Sequence, residues 1–280
     1  MAKDNLIISG FVGYRQTQIK PYVESIAANV PGCKLVMAVA GTDSETLKYL
    51  HDRGWETINL PMAAEIPVHV MRFLAIYDYL KDHWQDYNLV ISTDVKDVVF
   101  QSNPFDWLSQ HLVGNYKLVA GSESIRYCHE PWGNDNLLQT YGEYVHSQFK
   151  NNVIYNVGTL GGYSEYIKDL TFNIFFNSIQ RPIPIVDQAV FNVLLQTQPY
   201  KDVTLFAEQR LGWACQAGTV VDPAKIASFR PYLTEPEPVW RDGRVLTSDG
   251  LRQFAIVHQY DRVPSWRDQI LNNYRNKNEF

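Results

Sequence analysis

The chain has 280 residues, 45% of them hydrophobic, which is enough for one large core or two joined domains and excludes a wholly disordered protein. A formal net charge of −5 with no long Lys/Arg run excludes a nucleic-acid footprint, because neutralising phosphates needs clustered cations. Cys33, Cys128 and Cys215 lie far apart with no CxxC pair, so neither a disulfide framework nor a structural zinc site is expected, and a reducing compartment fits. The N-terminal "MAKDNLIISGF" carries too short an apolar run for a signal peptide, and no segment is long and apolar enough to span a bilayer. The expectation is a soluble, cytoplasmic protein, with a peripheral membrane contact left open.

In chain order, strand-like "NLIIS" (5–9), "KLVMAVA" (34–40) and "LVIST" (89–93) alternate with helix-patterned segments near 17–29, 43–53 and 69–83. On the last of these, Val70, Phe73, Leu74, Tyr77 and Leu80 share one face. That alternation predicts βαβ units and an α/β fold with a mainly parallel sheet flanked by helices, in which ligands bind beyond the carboxyl ends of the strands. After Asp97 the order becomes mixed: "VVFQ" reads as a short strand, "NPFDWLSQHL" as a helix capped near Asn103 and Pro104, and "YKLVAG" as another strand. "NVIYNVGTLGG" is a strand running into glycines, followed by helical "YSEYIKDLTFNIFFNSI" and "DQAVFNVLLQT". The last third is rich in turn formers and closes with the strand "FAIVH" and a terminal helix. With no repeat, low-complexity tract or linker, the chain reads as a single domain over 1–280.

The segment "NLVISTDVKDVVFQ" places Asp94 and Asp97 just past the most strand-like run. Carboxylates there serve as caps, as ligands for a hard cation, or as acids, bases and nucleophiles. Lys96 stands at the third position of a DxDxT phosphoaspartate motif and argues against that chemistry, whereas Mg²⁺ or Mn²⁺ suits a few carboxylate oxygens shared with water and phosphate. Three distant features are candidate companions. His258 ends "FAIV" with Arg262 and Trp266 following; Asn156 precedes Gly158, Gly161 and Gly162; and Asp187 and Gln188 open an amphipathic helix. Read singly, a lone His at a strand end is more often a packed or surface residue than a ligand, the glycines read as a tight strand-to-helix turn, and Asp187 reads as an N-cap.

Together and in this order these residues resemble the GT-A glycosyltransferases, in particular the retaining family 8 type that includes glycogenin and lipopolysaccharide galactosyltransferases. That family runs from a βαβ start to a strand ending in DxD, then N-x-G, D-Q-D-x-x-N and a C-terminal H-x-x-G-x-x-K-P-W. By position Asp94 answers the first Asp of DxD, Asn156 and Gly158 the N-x-G, Asp187, Gln188 and Asn192 the D-Q and its later Asn, and His258 and Trp266 the ends of the last motif. Lys96 replaces the second Asp, so Asp97 takes that role in a DxxD arrangement. Ala189, Asp261 and Pro264 are further departures, and Arg262 or Arg267 becomes the substitute for a missing diphosphate-binding Lys.

The resemblance implies a GT-A type Rossmann-like fold, with 1–100 as nucleotide-binding half and 101–280 as acceptor-binding half with a C-terminal metal-ligand segment. It also implies Mn²⁺ or Mg²⁺ held by Asp94, Asp97 and His258, a nucleotide-sugar donor with UDP-sugar favoured, and a glycan or glycolipid acceptor, as in polysaccharide biosynthesis. Gly10, Gly13 and Tyr14 would border the nucleotide, with Arg15 and Lys20 as lesser candidates, while Arg72 would support the diphosphate or be an ordinary solvated helix arginine. Asn156 and Asp187 would contact sugar hydroxyls; Asp187, Glu130 or Asp135 would be the base of an inverting enzyme. "YCHEPWGNDN", with His129, Glu130, Trp132 and Asp135, reads either as an acceptor-side loop or as a loop anchored by a packed Trp. A sugar nucleotidyltransferase, which normally opens with a glycine-rich basic loop, and a non-catalytic carbohydrate-binding module are the alternatives.

Overall fold

A computed structural model describes residues 3–275. The chain forms β1 (Asp4–Val12), α1 (Gln16–Asn29), β2 (Lys34–Ala40), α2 (Ser44–Asp52), β3 (Glu56–Asn59), α3 (Val68–His83), β4 (Tyr87–Thr93) and β5 (Val98–Phe100). It continues with α4 (Pro104–His111), β6 (Leu118–Arg126), α5 (Pro131–Phe149), β7 (Val153–Tyr163), α6 (Ser164–Ser178) and α7 (Asp187–Leu195). The last third holds β8 (Thr204–Ala207), β9 (Ala214–Gln216), α8 (Ala217–Val220), α9 (Ile226–Phe229), the hairpin β10 (Val239–Arg241) and β11 (Arg244–Leu246), β12 (Ile256–His258) and α10 (Pro264–Arg275).

Seven strands form the central sheet in the order β3-β2-β1-β4-β7-β6-β8. β7 pairs antiparallel with β4 and β6, and the other pairings are parallel, so the sheet is mainly parallel. Helices cover both faces, which is why β4 reads as a nearly unbroken apolar run. Alternate residues separate the two cores. Ile7 and Ile91 join Ile19, Tyr22 and Ile26 of α1 on one face, whereas Leu6, Ile8 and Val90 join Phe73 and Ile76 of α3 and Ile167 and Leu170 of α6 on the other.

The sheet delivers Asp94. Past the end of β4 its N–H still donates to the Gly158 carbonyl at 3.0 Å, so the residue lies at the carboxyl edge beside β7. The chain then leaves the large sheet for a second one, β5-β12-β9, made of three-residue strands. There the strand ending in His258 is only Ile256–His258 and pairs outside the main sheet, with His258 opposite Val98 of β5 and Gln216 of β9. This register is what brings a residue near the C-terminus back to within a few residues of Asp94.

Several local expectations gain a physical cause. Asn103 caps α4, its Oδ1 accepting from the Phe105 N–H at 3.1 Å. Asp187 is not the N-cap of α7; Val186 holds that place without a side-chain bond, which leaves the Asp187 carboxylate for other work. Gly161 and Gly162 serve packing rather than ligand approach. A Cβ on Gly161 would lie 2.8 Å from the Trp213 ring, and one on Gly162 would lie 2.5 Å from the Lys117 carbonyl oxygen. Trp266 is buried and packs on Trp240, with ring centroids 5.6 Å apart, in the core beneath α10. It is a packing residue and not part of a ligand site. All three cysteines are free.

Candidate active site

A cleft of two adjoining lobes, each of about 580 Å³, opens along the carboxyl edge of the large sheet. Tyr14, His69, Arg72, Asp94, Asp97 and Arg262 line both lobes. Gly10, Phe11, Val12, Lys96 and Asp261 are among those that complete the first; Glu123, Glu130, Trp132, Asn156, Gly158, Asp187, Gln188, Thr219 and His258 are among those that complete the second. Gly10, Tyr14, Arg72, Asp94, Asp97, Glu130, Asn156, Gly158, Asp187, Gln188, His258 and Arg262, all named from the sequence, therefore lie on one cleft, whereas Gly13, Asp135, Asn192 and Trp266 do not line it. Arg15, Lys20 and Arg267 are not among its lining residues.

Asp94, Asp97 and His258 can each present one ligand atom such that all lie within 4.8 Å of one another, and among the described residues this is the one such group of acids, histidines and cysteines. His258 Nε2 is 3.3 Å from Asp94 Oδ2 and 3.7 Å from Asp97 Oδ2. Its other nitrogen is committed: Nδ1 is 2.8 Å from Gln216 Oε1, and the Gln216 Nε2 donates to Thr159 Oγ1 at 3.0 Å. That chain assigns the proton to Nδ1 and leaves a lone pair on Nε2, which is buried without a hydrogen-bond partner. Burial lowers the His258 pKa, against the opposing pull of Asp97, so the ring is neutral near pH 7. Three electron-pair donors thus face one another with no proton between them, an arrangement that a divalent cation relieves. The donor set of two carboxylates and an imidazole fits Mn²⁺ or Mg²⁺.

Gly158 completes this corner. A Cβ there would lie 2.7 Å from Asp94 Oδ2, 2.8 Å from His258 Cε1 and 2.9 Å from Asn156 Oδ1, so only glycine fits between the ligating groups. The other two glycines named for the nucleotide act differently. A Cβ on Gly10 would meet Leu60 Cδ1 at 3.2 Å and Ala38 Cβ at 3.3 Å, away from open space, while Gly13 meets nothing and is required by its φ of +67°. Tyr14 is half-buried and stacks on Phe11, with centroids 5.5 Å apart. Burial first and Asp97 second raise its pKa, so it presents a neutral phenol to the cleft.

Arg72 is buried, at 9% exposure, and not a solvated helix arginine. It donates to Asp94 Oδ1 through Nη1 and sits 3.5 Å from Asp187 Oδ2 through Nη2. One cation therefore orients two carboxylates, and it leaves Asp94 Oδ2 on the side of His258. Its Nε is buried and makes no hydrogen bond, so the guanidinium keeps donor capacity within the site.

Asn156 is engaged at both ends of its amide. Its Oδ1 accepts from the Gly158 N–H at 2.7 Å and its Nδ2 donates to Glu123 Oε1 at 2.8 Å, while Glu123 Oε2 accepts from Thr219 Oγ1 at 3.1 Å. Asn192 is structural, its amide exchanging two bonds of 2.8 Å with the Tyr155 backbone. Glu130 caps α5 by accepting from the Gly133 N–H, and burial, the largest influence, raises its pKa against that bond. Sequence reasoning missed Gln216, Glu123 and His69. Glu123 lies inside β6, in a Ser-Glu-Ser run after its apolar start, and Gln216 ends a three-residue strand within a turn-rich region, so neither carries the signal of Asp94, an acid just past a buried strand.

No protein-family model and no curated protein matches this sequence. Among solved structures, the chain is similar to the apo structure of the WbbM bifunctional glycosyltransferase, with a TM-score of 0.61 and 12% identity over 99% of this chain and 50% of that one. The chain thus spans about half the length of that protein, and at this identity the likeness is one of fold. The fold is the GT-A Rossmann-like α/β type.

Proposed function

We propose that this protein is a metal-dependent glycosyltransferase that moves a sugar, a hexose in the first instance, from a nucleoside-diphosphate sugar to a hydroxyl of a glycan or lipid-linked acceptor. The observation that carries the proposal is the meeting of Asp94, Asp97 and a partnerless His258 Nε2 at the carboxyl edge of a GT-A type sheet, inside the two-lobed cleft. The family 8 resemblance of the motif order supports it, with DxxD in place of DxD.

Asp94, Asp97 and His258 would hold Mn²⁺ or Mg²⁺, which supplies Lewis-acid neutralisation of the diphosphate leaving group. Gln216 keeps His258 in the ligating tautomer. Arg72 orients Asp94 and Asp187, and Arg262 and Lys96 add positive charge to the first lobe, where an anionic diphosphate is to sit. Phe11, Val12 and Tyr14 border that lobe and suit a nucleoside, with a UDP-sugar the donor to test first. In the second lobe Asp187 and Gln188 offer a carboxylate and an amide to sugar hydroxyls. Asp187 is tied to Arg72, so in an inverting transfer, which would depart from the retaining family 8 course, Glu130 is the carboxylate suited to take the acceptor proton. One of its oxygens holds the α5 cap, the other is left for a hydroxyl, and burial raises its affinity for the proton.

The test is release of nucleoside diphosphate from a panel of nucleotide sugars, with Mn²⁺ and with a chelator. Metal-dependent release abolished by Asp94→Asn supports the reading. Binding of no donor, with Asp94→Asn altering stability alone, sinks it.

A further inference from the structure

Beyond the second lobe lies a separate pocket of about 310 Å³, at the lower end of the roughly 300–1,000 Å³ range of small-ligand sites. It shares Trp132 and Ile185 with the cleft and adds Asp135, Asn136, Gln139, Ile183 and Pro184. Its two walls are the first turns of α5 and the 183–185 segment that precedes α7. That segment is pinned at successive carbonyls: His69 Nε2 lies 2.9 Å from the Pro184 oxygen, and Asn136 Nδ2 donates to the Ile185 oxygen. The pocket is therefore formed in advance of any ligand.

Its chemistry differs from that of the first lobe. Trp132 is 50% exposed, a large apolar face left in water on a protein whose other tryptophans include the fully buried Trp213. Around it stand a carboxylate, Asp135, and two amides, Asn136 and Gln139, while no Lys or Arg is among the lining residues. A phosphate would meet Asp135 with no cation to offset it, and a lipid chain would leave three polar groups unmatched. A ring with one apolar face and an equator of hydroxyls satisfies both halves of this lining.

We propose that this pocket binds a saccharide ring of the acceptor one unit back from the hydroxyl that is glycosylated, so that the acceptor is the end of an oligosaccharide. This rests on the transferase reading for the acceptor's direction, but binding of a saccharide at Trp132 is independent of turnover. The terminal unit occupies the second lobe beside Asp187 and Glu130, and the next stacks on Trp132 with Asp135, Asn136 and Gln139 at its hydroxyls.

The experiment is saturation-transfer NMR and calorimetry of the full chain with methyl hexosides and matching di- and trisaccharides, alongside transfer kinetics on the same panel. The expected result is at least tenfold tighter binding of a disaccharide than of its methyl monosaccharide. Trp132→Ala removes that advantage and raises the KM for the oligosaccharide with little change in kcat. Trp132→Phe keeps most of it, and Gln139→Ala, at an exposed position, loses about threefold. Equal affinity for short and long saccharides, binding of no saccharide in the panel, or a chain-length preference untouched by Trp132→Ala overturns the inference. Saccharide binding that depends on Trp132 in a protein that turns over no nucleotide sugar would instead overturn the transferase reading and leave this site standing.

Discussion

The two lobes of the cleft share a charged centre and differ in what each adds to it. To the shared Arg72, Arg262, Asp94 and Asp97 the first adds the charged pair Lys96 and Asp261 beside the apolar Phe11 and Val12. The second, continued into the Trp132 pocket, is dominated by acids, amides and an exposed indole, with Lys225 as its added cation. The difference teaches how an acidic chain, at a net charge of −5, can hold an anionic donor. In the first lobe three cations match the three carboxylates Asp94, Asp97 and Asp261 where a diphosphate would leave, whereas in the second five carboxylates outnumber three cations and, with the amides, suit hydroxyls.

The largest expected effect breaks the charged lobe at its centre. Asp94→Asn should lower transfer by about 10³-fold, since removing several kcal/mol of leaving-group stabilisation costs a factor of ten per ~1.4 kcal/mol. Initial rates at saturating Mn²⁺ check this, and a loss below tenfold would place the metal elsewhere. Gly158→Ala comes next. Its Cβ would press on Asp94 and His258 at 2.7 and 2.8 Å, so Mn²⁺ affinity should fall by about 100-fold while the melting temperature changes by only a few degrees. Gln216→Leu removes the bond that sets the His258 tautomer and should weaken Mn²⁺ binding by about 10- to 100-fold, read by calorimetry.

The smallest effect probes the acid-rich second lobe through pH. Burial raises the Glu130 pKa above its ordinary value of 4.5, so the folded protein binds that proton more tightly than the unfolded chain does. The associated stability is fully present below the ordinary value and is lost as pH rises through the raised one. Urea unfolding at a series of pH values should show Glu130→Gln with a shallower fall across that window. A parallel curve for the variant would mean that Glu130 does not titrate there.

The fold was legible in the sequence where one chain segment met one rule. The apolar runs of β1, β2 and β4, the amphipathic α3 and the Asn103 cap follow from periodicity and capping alone. Asp94 and Asp97 were legible for the same reason, as acids beyond a buried strand. What the sequence hid depends on partners far along the chain. The role of Gln216 arises from a pairing of three-residue strands that places it opposite His258, 42 residues away. Arg72 reads from the sequence as a residue for the diphosphate, with a solvated helix arginine as the alternative, and what stays hidden is that it is buried and bonded to both Asp94 and Asp187, the latter 115 residues distant. Gly161 and Trp266 misled because glycine and tryptophan serve packing as often as binding, and only their neighbours Trp213 and Trp240 decide which.

The central claim is that one divalent ion, held by Asp94, Asp97 and His258, couples this sheet edge to a nucleoside diphosphate. The most direct measurement is a calorimetric titration of UDP into the native protein and into a His258→Ala, Asp97→Asn double variant, each with Mn²⁺ and with EDTA. Mn²⁺ should tighten UDP binding at least tenfold in the native protein and leave the double variant unchanged. UDP binding that is equal with and without Mn²⁺, or an Mn²⁺ effect that survives in the double variant, would contradict the account.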